Sequence, residues 1–157
     1  MTRSDSRNLS TAAGSQSGSA FATLRFAGDA LDPEEISCIL DTRPTHAYRK
    51  GESFSPGPRT PRVTSRTGLW YLSTDRLVSS PELADHLHYL VRVLMPEPGN
   101  ESRLRRLREL MRRARLEAYV TCFWYGGEGE PEPTIPPDVA EIFRRLPADI
   151  ETDFITD

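Results

Sequence analysis

Two periodicities organise the chain. Phe21, Thr23 and Arg25 alternate with Ala22, Leu24 and Phe26, the two-residue period of a strand. Gly28-Asp29 breaks that pattern. Asp32-Pro33-Glu34-Glu35 then opens a helix, with a carboxylate to cap, a proline at the first helical position and acids where the dipole favours them. Ile36, Ile39 and Leu40 make its apolar stripe. Pro44 limits it, because the residue before a proline avoids helical angles. Residues 45–52 read as an extended segment closing on Lys50-Gly51.

Residues 53–66 carry three prolines and three arginines with no acid, which predicts a mobile, locally cationic loop. The run Gly68–Ser73 is a second strand, anchored by Trp70. Ser80-Pro81-Glu82 starts another helix, on which Leu83, Leu87, Leu90 and Leu94 follow helical spacing as far as Pro96. Asn100 is placed to cap a third helix with the stripe Leu104, Leu107, Leu110, Met111 and Ala114. Residues 116–125 then form a strand with large side chains in both phases, which predicts a central position in a sheet. An acidic, Gly/Pro-rich loop and a short helix over 136–145 follow. Ile150, Thr152 and Phe154 alternate with acids, the pattern of a one-sided edge strand.

These elements predict a single α+β domain over residues 20–157. Its mixed or antiparallel sheet would gather the strands around Leu24, Trp70, Phe123 and Ile150, with about four helices mostly on one face. Both tryptophans would be buried. The other face of the sheet, or the edge beside residues 45–50, would be the contact surface. Pro33, Ile36, Ile39, Leu40 and Pro44 recur as Pro136, Val139, Ile142, Phe143 and Pro147, which suggests a strand–helix–strand unit used twice. Residues 1–19 contain almost no large apolar side chain and read as a disordered tail without the apolar centre of a signal peptide.

Composition narrows the function classes. The formal charge is −3, from 20 basic and 23 acidic residues, so a generic polycation is excluded. No apolar run approaches the ~20 residues of a membrane helix. Two cysteines, Cys38 and Cys122, both in apolar stretches, imply a reducing, cytoplasmic setting and side chains used for packing. His86 and His88 point to different sides of a helix and His46 has no metal-binding neighbour, so all three read as surface or boundary residues and no metal site is expected. No nucleophile elbow or phosphate loop occurs, and no cofactor is implied.

Two polar features remain. Thr45, His46, Arg49, Lys50 and Glu52 cluster near a predicted sheet edge, and Lys50 is the sole lysine of the chain. Their plain reading is a turn with a local ion pair; their functional reading is a rim that holds an anionic group. The third helix carries seven arginines in residues 103–115, of which Arg105, Arg108, Arg112 and Arg115 share one stripe. Such a stripe suits phosphates, an acidic protein surface, or simply water. Residues 126–157 oppose nucleic acid with nine acids against two arginines, a net of −7. The leading expectation is a non-enzymatic interaction module, immunity-like or an adaptor, that binds a protein partner. A nucleic-acid binder using the arginine helix together with Arg59, Arg62 and Arg66 is the alternative. An enzyme using His46, Lys50 and Glu52 as acid–base groups is third.

Leu31-Asp32-Pro33-Glu34-Glu35-Ile36, then Pro44-Thr45 and Lys50-Gly51-Glu52, with the strand Trp70-x-Leu72-Ser73 and the acidic last strand, carry a family resemblance. In their order and spacing the chain resembles a bacterial family known as domain of unknown function 4279. The resemblance spans nearly all of residues 20–157 and supports the fold. It implies no activity, and the Pro/Arg-rich insert after Glu52 departs from the family pattern.

Overall fold

The computed structural model describes residues 19–157. The first half holds β1 (Ser19–Gly28), α1 (Pro33–Leu40), β2 (His46–Tyr48), β3 (Ser53–Phe54), β4 (Val63–Thr64) and β5 (Gly68–Ser73). The second half holds α2 (Leu83–Leu94), α3 (Ser102–Ala114), β6 (Glu117–Gly126), α4 (Pro137–Arg145) and β7 (Asp149–Thr156). Five strands form one mixed sheet in the order β2-β5-β1-β6-β7, and β3 pairs with β4 apart from it. β1 runs antiparallel to both β5 and β6, β2 is antiparallel to β5, and β7 is parallel to β6. The result is a single α+β domain in which Leu24, Trp70, Phe123 and Ile150 share one sheet.

Local chemistry explains the helix ends. Asp32 accepts a hydrogen bond from the Glu34 amide at 3.1 Å, and Pro33 fills the first turn of α1. Ser80 accepts from the Glu82 amide and donates to Asp85, which fixes the start of α2. Asn100 accepts from the Ser102 amide ahead of α3. Arg115 closes α3 in the left-handed region (φ 53°), a conformation that glycine usually supplies.

The two echoed helices connect strands that run the same way. α4 joins β6 to its neighbour β7, whereas α1 joins β1 to β2 with β5 between them. The crossovers are alike in direction and differ in span.

Side chains on the sheet split by parity. Ala20, Ala22, Leu24 and Phe26 of β1, Trp70 and Leu72 of β5, and Ala118, Val120, Cys122 and Trp124 of β6 are buried in one cluster with the stripes of all four helices. Trp70 stacks edge-on against Phe26 at 5.9 Å and donates its indole N–H to Ser37 of α1 at 3.0 Å. The odd-numbered residues of the same strands point away from this cluster. Among the described residues no helix covers them.

Four expectations need correction. Ser19, assigned to the tail, is the first residue of β1 and pairs with Tyr125; the rest of the expected tail lies outside the described residues. Residues 53–66 include the β3–β4 ladder, and Ser65 between Glu52 and Gly51 in hydrogen bonding is buried. Cys38 is exposed, because it sits on the side of α1 turned from the sheet. His86, read as a surface or boundary residue, is 1% exposed. It occupies the Leu83/Leu87/Leu90 stripe of α2, which turns to the sheet.

Candidate functional site

The open face of the sheet carries an organised set of polar and aromatic side chains. Strand register arranges them in rows. One row runs His46, Tyr71, Arg25, Tyr119 and Asp149 from β2 to β7. The next is Ser73, Thr23, Thr121 and Glu151, and the third is Phe21, Phe123 and Asp153. Phe21 and Phe123 stack with centroids 4.7 Å apart, and His46 stacks on Tyr71 at 6.2 Å. The Arg25 guanidinium lies 4.8 Å above the Tyr119 ring, a cation–π contact. At the other end Tyr48 stacks on Phe54 of β3 at 4.5 Å.

Charge on this face is graded. Glu117, Asp149, Glu151, Asp153 and Asp157 gather along the β6/β7 side, while Arg25 sits in the middle. Tyr119 donates its hydroxyl proton to Glu117 and Tyr125 donates to Asp157. Each carboxylate pushes its phenol above the ordinary tyrosine range, since ionising the phenol would break the bond and face the negative charge. None of Asp149, Glu151 and Asp153 joins an ion pair among the described residues.

The cluster at residues 45–52 is split between this face and a structural corner. His46 is exposed on β2. Thr45 accepts from the Ser73 amide at 2.9 Å while its own amide donates to the Tyr71 carbonyl, so it lashes β2 to β5. Arg49 pairs with Asp32 at 2.8 Å and lies 3.9 Å from Glu52. Lys50 bonds Asp29 at 2.9 Å. Its ammonium holds the Asp29 carboxyl below the ordinary carboxylate range, with a second hydrogen bond from Thr67. The turn itself is present, with Gly51 at φ 85°, yet the lysine reaches across the chain instead of pairing with Glu52. His46, Lys50 and Glu52 thus serve three different partners.

The arginine stripe of α3 is also dispersed. Arg108 donates to the Arg145 carbonyl, Arg112 pairs with Glu109, and Arg115 is the helix cap. Arg105 lies elsewhere, with Arg106 and Arg113, beside a groove of about 670 Å³ between α1 and α3. Arg113 is held there by Glu35 at 3.0 Å.

His86 has a positional role. Its Nε2 faces the Ser80 carbonyl at 2.7 Å, which can only accept, so Nε2 carries the proton. Its Nδ1 lies 2.6 Å from the Thr74 hydroxyl, which also accepts from the Ala22 amide at 2.9 Å. The network ties α2, the end of β5 and β1 together. Cys122 is likewise a packing group: burial pushes its thiol up to about 11. Among the described residues no set of three or more His, Cys, Asp or Glu is placed to hold a metal ion, and no helix is long and apolar enough to cross a membrane.

The profile of the family described as "Domain of unknown function (DUF4279)" matches residues 18–157. The chain belongs to that family. Neither a curated protein nor a solved structure matches it. In this DUF4279 chain the motif residues that carried the resemblance brace one corner of the fold. Asp32 caps α1 and receives Arg49, Lys50 closes on Asp29, Thr45 fastens β2, and Trp70 bonds Ser37. They fix the crossover from β1 through α1 to β2, and so the position of His46 and Tyr48 on the open face.

The aromatic residues of that face were not among the candidates drawn from sequence. A signal existed: β6 has Tyr119, Phe123 and Tyr125 in one phase and Val120, Cys122 and Trp124 in the other. A strand flanked on both sides is central, as expected, but being central in the sheet does not imply a cover on both faces.

Proposed function

We propose that this DUF4279 chain is a non-enzymatic interaction module, in an immunity-like or adaptor role, whose open sheet face docks a protein partner. The observation that carries this reading is the open face itself: Phe21, Tyr71, Tyr119, Phe123 and Tyr125 are half-buried on one side of the sheet with no helix over them among the described residues. Aromatic side chains with an apolar body and a polar tip suit protein interfaces. The acids on the β6/β7 side favour a partner that is basic where it meets them. They also disfavour nucleic acid, as does the engagement of Arg108, Arg112 and Arg113 within the domain.

The test is capture of partners by the tagged full chain, by Tyr71→Ser and by a surface control such as Arg76→Ser. The expected result is a specific partner retained by the parent and the control and lost by Tyr71→Ser, with all three folded by circular dichroism. A partner retained equally by Tyr71→Ser overturns the use of this face. Salt-dependent binding of labelled DNA or RNA in place of any protein moves the reading to the arginine helix.

A further inference from the structure

We infer that the groove between α1 and α3 binds a small amphiphilic anion, with an aliphatic body on its floor and a carboxylate or phosphate head at Arg105 and Arg106. The groove belongs to the helices on the covered side of the sheet, so this inference stands apart from the docking role proposed above. One face of each helix builds it. Glu35, Cys38 and Ile39 are spaced three and one apart on α1, and Arg106, Leu110 and Arg113 four and three apart on α3, so each set shares a side of its helix. Ile39 and Leu110 are buried among the core residues and give the groove an apolar floor, with the exposed Cys38 beside them. The volume of about 670 Å³ is that of a small-molecule site, and such sites are mostly apolar with a few placed polar groups.

The charges of the lining leave a surplus of one sign. Its two acids are both engaged, Glu35 with Arg113 at 3.0 Å and Glu109 with Arg112. Arg105 and Arg106 join no ion pair and no side-chain hydrogen bond among the described residues. Guanidinium groups fork onto a carboxylate or a phosphate, and their alkyl stems extend an apolar wall. A small hydrophilic anion would leave the Ile39/Leu110 floor unused, and a cationic amphiphile would meet the arginines with no counter-charge. An arginine-rich helix that only faces water needs the charges but makes no use of the floor, and the experiment separates the two.

The probes are decanoate and decyl phosphate, kept below their micelle-forming concentrations, with decyltrimethylammonium and acetate beside them, added to the full chain. Alkylation of Cys38 by N-ethylmaleimide, followed by intact mass, reads the groove directly, because Cys122 is buried and reacts only on unfolding. Decanoate, decyl phosphate or both should slow alkylation about threefold or more once most of the chain is occupied, and the tighter of the two identifies the head. Decyltrimethylammonium and acetate should leave the rate unchanged. Arg105→Gln with Arg106→Gln should weaken the protection, whereas Arg59→Gln with Arg66→Gln, an equal loss of charge elsewhere on the surface, should not. Backbone amide shifts on addition of the protecting anion should centre on residues 35–39 and 102–113. No protection by either decyl anion, equal protection by decyltrimethylammonium or acetate, full protection in a folded Arg105/Arg106 variant, or shifts centred on the open sheet face would each overturn the site.

Discussion

The two faces of the sheet are made by the same strands and differ in everything that follows from cover. On the helix side, β1, β5 and β6 contribute Leu24, Phe26, Trp70, Leu72 and Val120, each at most 1% exposed. On the other side Thr23 is buried and most of the intervening residues are half-buried, among them aromatic and charged side chains held to one another by stacking and hydrogen bonds. Burial of apolar area scales with stability, at about 25 cal/mol per Å². The covered face therefore carries the fold, and the open face is free to be specialised without large loss. The lesson concerns β6 in particular: one strand supplies core residues at even positions and candidate contact residues at odd ones.

The largest expected effect lies on the covered face. Trp70→Ala removes a fully buried indole that packs on Phe26 and bonds Ser37, and should cost about 3–5 kcal/mol. Phe123→Ala on the open face should cost much less, because its ring is half-buried and its stack on Phe21 is worth only ~0.5–1.5 kcal/mol beyond area. Urea unfolding of both variants measures the difference. Equal losses would mean that the open face is a second core, and the contrast would collapse.

The next effect tests the polar link beneath the helices. Thr74→Val keeps the shape of the side chain but removes the hydroxyl shared by the His86 Nδ1 and the Ala22 amide. Leaving buried partners unmet should cost about 1–3 kcal/mol. His86→Ala should cost a similar amount or more, and the double variant less than the sum, because both act in one network. Strict additivity of the two losses, read from the same unfolding curves, would show that Thr74 and His86 are independent.

These two sites also mark where sequence reading succeeds and fails. Trp70 announced itself: an aromatic in a short alternating strand between Gly68 and Ser73 has one sensible place. The helices were equally legible, because Asp32-Pro33 and Ser80-Pro81-Glu82 are local signals and the Leu/Ile stripes repeat at helical spacing. His86 lies three residues after Leu83 and four before Leu90, so its position marks the buried stripe while its residue type points to the surface. Burial depended on Thr74 and the Ser80 carbonyl, partners that the chain brings together only in three dimensions. The ion pairs of Lys50 with Asp29 and Arg49 with Asp32 were hidden for the same reason: each crosses α1 or its flanking turns. The uncovered face itself follows from helices packed mostly on one side of the sheet, whereas the aromatic side chains that furnish it were not singled out. Periodicity in β6 tells which residues share a face, whereas cover depends on where every helix goes.

Thiol chemistry gives a further contrast between exposed and covered positions. Cys38 is exposed on α1, while Cys122 is fully buried on β6, and burial pushes its thiol up to about 11. A chromogenic disulfide reagent at neutral pH should titrate one thiol rapidly in the native protein and the second only when urea unfolds it. Cys38→Ser should abolish the rapid phase and leave the slow one. Two rapid thiols would mean that the helix-side face opens readily.

The smallest effect is electrostatic and belongs to the open face alone. Tyr119 and Tyr125 have folded-state pKa values raised above 10.0 by their hydrogen bonds to Glu117 and Asp157, so the neutral phenol is the form that folding favours. The stability contributed by each bond is therefore complete below the unfolded value and declines as pH rises through the raised folded value. In an ultraviolet titration, two of the five tyrosines should ionise later than an ordinary phenol. Glu117→Gln should return Tyr119 toward 10.0 and leave Tyr125 unchanged. Both groups are on the surface, so salt should narrow the shift, as screening of exposed charges requires. A titration of Tyr119 that Glu117→Gln leaves untouched would remove the carboxylate from this ring, and with it the claim that each tyrosine of β6 is matched to its own acid on the open face.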